Sequence, residues 1–181
     1  MGNPTNPGPV KLISSLIFND NEVVRVAAEE LIDHFGPLDF VSEIMPFDFT
    51  DYYTEEMGGN LSRRIIAFEP LINPELISSI KLFTNQMEGI LASKPNQRRI
   101  NIDPGYVNSY HLILATTKPA PHRPYLKEGI YADLTLLYYN KGFKPLPWTY
   151  PDYASDQLIA IINSLRQKFL FQLKRLRNNS L

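Results

Sequence analysis

The chain has 181 residues, 44% of them hydrophobic, with a net charge of −1 and no Cys. That is enough apolar material for one packed domain, and it excludes disulfides, thiolate metal sites and Cys nucleophiles. Residues 1–9 are polar and Pro-rich rather than basic then apolar, and no apolar run approaches the ~18 residues that span a bilayer, so the expectation is a cytoplasmic protein without a membrane partner. The charge is unevenly placed: residues 1–60 hold eleven acidic and two basic residues, residues 61–181 eight acidic and sixteen basic. Either the two parts complement each other within one fold, or an acidic loop faces a basic one.

Residues 1–9 read as a flexible Pro-rich arm, and residues 10–181 as a single domain. Val10–Phe18 is an apolar strand. Asn19 is placed to cap a helix, with Glu22 at the capping-box position, and Val24, Ala27, Ala28, Leu31, Ile32 and Phe35 form one apolar face. Gly36-Pro37 ends that helix, and Leu38–Met45 and Leu61–Phe68 read as the next strands. Asn73-Pro74 announces a second helix, with Leu76, Ile80, Phe83, Met87, Ile90 and Leu91 inward and Pro95-Asn96 at its end. Arg98–Ile102 and His111–Thr116 read as short strands around a loop, Asp103-Pro104-Gly105-Tyr106. Gly129–Tyr139 alternates like a strand and turns through Asn140-Lys141-Gly142 into Phe143–Leu146. Ser155 caps a last helix with Leu158, Ile162, Leu165, Phe169, Leu173 and Leu176 inward and a basic outer side.

This order predicts an α+β fold: a mixed or antiparallel sheet with helices mainly on one face. The best-fitting topology is a ferredoxin-like βαββαβ core plus a C-terminal hairpin and helix.

Three segments do not read as packing. Residues 46–59 gather carboxylates and aromatics between two strands. Asp48 and Asp51 are the candidate ligands of a Mg²⁺ ion, a hard cation that prefers oxygen donors. The plainer reading is a single helical turn with acids at its N-terminus and Gly58 at its end. Asp103, before Pro-Gly at a strand end, is either a catalytic carboxylate beside Tyr106 or a turn anchor. Thr116, Thr117, Lys118 and Arg123 offer hydroxyls and cations to a phosphate or carboxylate. His122 is the candidate acid-base, because imidazole titrates near neutral pH. Arg63 and Arg64 point to opposite faces of a strand, so one of them can reach a ligand; Arg64 is taken as the ligand-binding one. Tyr131, Asp133 and Thr135 share one strand face, with Tyr131 as a further ligand contact.

Standard signatures are absent. There is no Gly-x-x-x-x-Gly-Lys-Ser/Thr, Gly-x-Gly-x-x-Gly, His-Glu-x-x-His or Gly-x-Ser-x-Gly. Three His residues (His34, His111, His122) are too few for a multi-His metal centre.

At these same segments the chain resembles domain of unknown function 4416, an uncharacterised bacterial family. The resemblance runs through Pro46-Phe47-Asp48-Phe49-Thr50-Asp51-Tyr52-Tyr53, Glu56-Met57-Gly58, Asn101-Ile102-Asp103-Pro104-Gly105-Tyr106, Ala115-Thr116-Thr117-Lys118, His122-Arg123, Gly129-Ile130-Tyr131-Ala132 and the stretch from Leu146 to Tyr153. It implies a Glu where this chain has Asp133, and an apolar residue where it has Pro124. Relatives often carry the label GTP-binding protein, but no Asn-Lys-x-Asp base reader is present here.

The leading expectation is an enzyme or binder acting on a phosphorylated or nucleotide-like small molecule with a divalent cation, Mg²⁺ being the candidate. The alternatives are a non-catalytic ligand-sensing or protein-interaction module built on the aromatic loops, and an RNA-binding protein using the basic last helix. The balanced total charge argues against nucleic acid as a partner.

Overall fold

Strand β1 (Val10–Phe18) is buried along its whole length, and the rest of the molecule is arranged around it. The computed structural model describes residues 2–50, 52–94 and 97–179. The other strands are β2 (Leu38–Val41), β3 (Met45–Pro46), β4 (Ser62–Ile72), β5 (Ile100–Val107), β6 (His111–Thr116), β7 (Tyr125–Lys127), β8 (Ile130–Tyr139) and β9 (Gly142–Pro145). They form one sheet in the order β2-β4-β1-β5-β6-β8-β7, with β3 on β4 and β9 on β8. Every pairing is antiparallel. The helices are α1 (Asn21–Phe35), a single turn α2 (Thr54–Met57), α3 (Ile77–Ile90) and α4 (Asp156–Asn179). The fold is thus α+β on an antiparallel sheet. β1, α1, β2, β4, α3 and β5 follow one another in β-α-β-β-α-β succession, with β3 and α2 inserted.

Alternation along β1 divides the core in two. Leu12, Leu16 and Phe18 pack with Val23, Ala27 and Leu31 of α1 and Ile77, Ile80 and Met87 of α3. Ile13, on the other face, packs with Leu158, Ile162 and Leu165 of α4. Two long helices therefore share one face, and α4 takes the opposite one. A third, smaller cluster (Ile17, Phe47, Met57 and Leu61, with Tyr53 against it) lies on the α4 face, under α2.

Several element ends differ from the sequence expectation. Asp20, not Asn19, caps α1: its carboxylate accepts from the Glu22 amide at 2.8 Å, while Asn19 donates to the Met57 carbonyl. The expected strand 38–45 is two pieces, β2 and β3. Leu76 and Ile90, expected inward, are exposed, and the buried stripe of α3 instead contains Lys81, Thr84 and Glu88. Pro95 and Asn96, expected to end that helix, lie outside the described residues. Leu176, expected inward on α4, is exposed. The β8–β9 turn is as expected: Asn140 and Lys141 both adopt positive φ (49° and 65°), the conformation of a two-residue type I′ turn.

The charge asymmetry is resolved partly inside the fold. Asp20 pairs with Arg99, Glu56 with Arg98 and Asp39 with Lys168, each joining the acidic first third to the basic remainder. Among the described residues, no helix is long and apolar enough to cross a membrane.

Candidate ligand-binding cleft

A parting of two strands creates the site. β5 and β6 pair only from Gly105 to Val107. At Gly105 the strands are so close that a Cβ would lie 2.4 Å from the Ile113 carbonyl oxygen, so only glycine fits. Before Gly105 the strands separate and α3 fills the gap. Glu88 Oε1 accepts from the Ile102 amide at 2.6 Å, and Lys81 Nζ donates to the Ile102 carbonyl at 2.9 Å. Two side chains thereby satisfy the backbone groups that a neighbouring strand would otherwise take. Pro104 sits where β6 has not yet joined, so its missing N–H breaks no ladder bond. Asp103-Pro104-Gly105-Tyr106, expected as a loop, is therefore continuous strand.

Beside this gap, on the α4 face, is a cleft of about 450 Å³. Its floor is Arg63, on β4. Strand alternation brings Arg63 to the face of Ile65 and Ala67, and its side chain is only 4% exposed. Its guanidinium pairs with Asp152 and lies between the rings of Phe47 and Tyr153, 4.6 and 4.9 Å from their centroids. Nε and Nη1 have no hydrogen-bond partner among the described residues. Asp103 lies alongside, held by Lys81 Nζ at 3.0 Å and by Asn101 Nδ2 at 2.7 Å. Arg98 closes one end, pairing with both oxygens of Glu56 at 2.7 Å and with Glu88 at 2.8 Å.

The rim comes from the other segments singled out in the sequence. Thr116, Thr117 and Lys118 line it after β6, facing Thr50 and Tyr52. Lys118 Nζ stands 3.9 Å over the Tyr52 ring and has no carboxylate partner among the described residues. Arg123 lines the cleft while bound to Asp133 at 2.8 Å, Tyr150 Oη at 2.7 Å and the Lys118 carbonyl at 3.1 Å. The aromatic loop, the Asp103 strand and the Thr116–Arg123 segment thus meet in one place.

Not every expected residue reaches it. Arg64 lies on the opposite face, paired across the ladder with Leu16; Arg63 is the arginine in the cleft. Tyr106 lines a different groove of about 940 Å³ between residues 7–10 and α4, which has no carboxylate among its described lining residues. Tyr131 packs edge-on against Tyr125 and is not part of the lining. His122 lies behind Arg123, stacked on Trp148 at 5.1 Å, with Nε2 3.9 Å from Asp133. Asp48 is exposed and outside the lining, and Asp51 lies outside the described residues. No group of three or more His, Cys, Asp or Glu among the described residues could hold a metal ion. Asp133 and Thr135, which share a strand face with Tyr131, are buried, with the Thr135 hydroxyl turned to Asp133.

Sequence reasoning passed over Lys81, Glu88, Arg98 and Asp152. The signal for two of them was present: Lys81 and Glu88 stand seven residues apart, in line with Ile77, Ile80, Thr84 and Met87 on the buried stripe of α3. Charged residues within such a stripe must find partners inside the protein.

The titratable groups of the cleft are shifted by burial and by their neighbours. Burial by itself raises the Asp103 carboxyl; Lys81, Asn101 and Arg63 outweigh it and hold the group below its ordinary range, so it is an ionised acceptor. Burial pushes Glu88 up despite Lys81 and Arg98. The Tyr53 and Tyr153 phenols are pushed up, chiefly by burial, and remain neutral donors. The basic α4 is partly engaged within the molecule: Arg166 donates to the Ser109 carbonyl at 3.0 Å and Lys168 to that of Asp39 at 2.6 Å.

A family model described as Domain of unknown function (DUF4416) matches residues 8–169. No curated protein and no solved structure matches the chain.

Proposed function

We propose a function from the cleft, because the chain belongs to that family and the family's description names no activity: the protein binds a small phosphorylated, ring-bearing molecule of the nucleotide-like class. The observation that carries this reading is Arg63. A guanidinium removed from water with two nitrogens unpartnered is costly, and these two belong to a residue that lines an open cleft. An anionic oxygen placed there satisfies them. Lys118 adds a cation at the rim without a carboxylate partner among the described residues, and the Thr116 and Thr117 hydroxyls suit phosphoryl oxygens. Tyr52 and Tyr150, both exposed, offer faces to a ring.

The reading assigns binding and no bond-making step. Asp103 is engaged at both oxygens and His122 is outside the lining, so neither is given a role in proton transfer. The reading assigns no role to Mg²⁺: the described cleft carboxylates are paired with Lys81, Arg63, Arg98 and Arg123.

Thermal unfolding against nucleotides, sugar phosphates and pyrophosphate, each beside its dephosphorylated counterpart, tests it. A ligand at a hundred times its dissociation constant adds about 2.7 kcal/mol to stability. The expected outcome is stabilisation by a phosphorylated compound, none by its dephosphorylated form, and a weaker effect in Lys118→Ala. Equal response to both forms, or to neither, removes the reading.

A further inference from the structure

We infer that the cleft takes a ligand bearing a single phosphoryl group, a phosphomonoester on the scale of a mononucleotide, and discriminates against polyphosphates; this rests on the reading just given. Two independent observations support it. The first is charge. The described lining holds five cations and four carboxylates, and among the described residues Lys118 is the cation left over once Arg63, Lys81, Arg98 and Arg123 are matched with their acids. Glu56, just outside the lining, occupies a second side of Arg98. The described lining thus carries one net positive charge at most, and Glu56 offsets part of it. A phosphomonoester brings about −1.5 to −2 at neutral pH, which Lys118 and the two unpartnered nitrogens of Arg63 can accommodate. Each further phosphoryl group adds negative charge with no unmatched cation to meet it, and brings that charge towards Asp103 and Asp152 on either side of Arg63.

The second observation is the backbone. Polyphosphate sites present a run of N–H groups from a Gly-rich turn or a helix N-terminus, because the chain must approach the phosphates closely. The described lining of this cleft contains no glycine, and its last stretch is Tyr150, Pro151, Asp152 and Tyr153, in which Pro151 has no N–H to offer. The unpartnered donor at the floor is a side chain, Arg63. A volume of about 450 Å³ also suits a ligand of mononucleotide size better than one trailing a phosphate chain.

The test is calorimetric titration of the intact protein with the mono-, di- and triphosphates of adenosine and of guanosine, and with ribose 5-phosphate and pyrophosphate. EDTA is present throughout, so that no cation masks the ligand's charge. The expected result is that a monophosphate or the sugar phosphate binds roughly tenfold or more tightly than the matching polyphosphates. Affinity that rises with the number of phosphoryl groups overturns the inference while leaving the phosphorylated-ligand reading intact. No binding by any member of the series overturns both.

Discussion

Two buried cations on the same face of the sheet have opposite surroundings. Lys11 is fully buried on β1, and its ammonium donates to Asp39 at 2.6 Å, to the Phe68 carbonyl at 2.7 Å and to Gln172 of α4 at 2.9 Å. Those are all the bonds an ammonium can donate. Arg63, also buried, pairs with Asp152 and leaves two nitrogens buried and without a hydrogen-bond partner among the described residues, in a residue that lines a cleft. The first end of the face is covered by α4; the second lies beside the short α2 and the loops around it. A buried charge with every donor used is a structural tie; under the proposed function, one with donors to spare beside a cleft is a socket.

This contrast can be broken by substitution. Lys11→Met removes the tie and leaves the Phe68 carbonyl without its partner, so it is expected to lower unfolding stability by about 3 kcal/mol without changing ligand affinity in the protein that remains folded. Urea unfolding and titration on one preparation check this; a loss below about 1 kcal/mol defeats the idea of a tie. Gly105→Ala drives a Cβ into the Ile113 carbonyl and is expected to cost about 2 kcal/mol, again by urea unfolding. If it is neutral, the strands part for some other reason.

Arg63→Met combined with Asp152→Asn removes the socket as a matched pair. Stability is expected to stay within about 1 kcal/mol, because such pairs often exchange with apolar groups at little cost. Phosphate-ligand affinity is expected to fall by about 2 kcal/mol, roughly thirtyfold; retained affinity would place the anion elsewhere. Lys118→Ala lies at the exposed rim, so its stability change is expected within about 0.5 kcal/mol. Its affinity is expected to drop about fivefold, seen as a faster off-rate.

The smallest expected effect is on pH dependence. Asp103 has a depressed carboxyl in the folded state, so its contribution is present above the unfolded value of about 3.9 and is lost as pH falls through the lower folded value. The stability advantage of the wild type over Asp103→Asn should therefore shrink below about pH 4. A constant difference from pH 6 to pH 2 contradicts the Lys81 pairing.

The sequence made the fold legible where one residue settles a local geometry. β1 runs from Val10 to Phe18 as its apolar run predicts, and Asn140-Lys141-Gly142 is the expected hairpin turn. Asn73 caps the turn before α3 by accepting from the Glu75 amide at 3.1 Å. Legibility failed where tertiary contact overrode local habit. Pro-Gly at 104–105 ordinarily signals a turn, yet Pro104 falls where β6 is absent and Gly105 where it is nearest. α3 is rotated from its apolar periodicity because Lys81 and Glu88 find partners on β5, which no reading of α3 alone could supply. The candidate site was legible as a set of residue types but not as a place. Arg63 and Arg64 are neighbours with the same chemistry, and only the register with β1 sends Arg63 to the cleft. His122 and Asp48 belong to the right segments, but stacking on Trp148 and exposure to solvent set them aside.

The arrangement at Ile102 has a consequence for how the two layers communicate. Its amide hydrogen is guarded by a carboxylate from a helix rather than by a carbonyl from a strand. Exchange of that one hydrogen with solvent therefore reports the position of α3, not the integrity of the sheet. Lys81 links the same helix to Asp103 in the cleft wall. A ligand seated against Asp103 thus loads a helix whose main packing lies on the far side of the sheet, and Ile102 is where that load can be read.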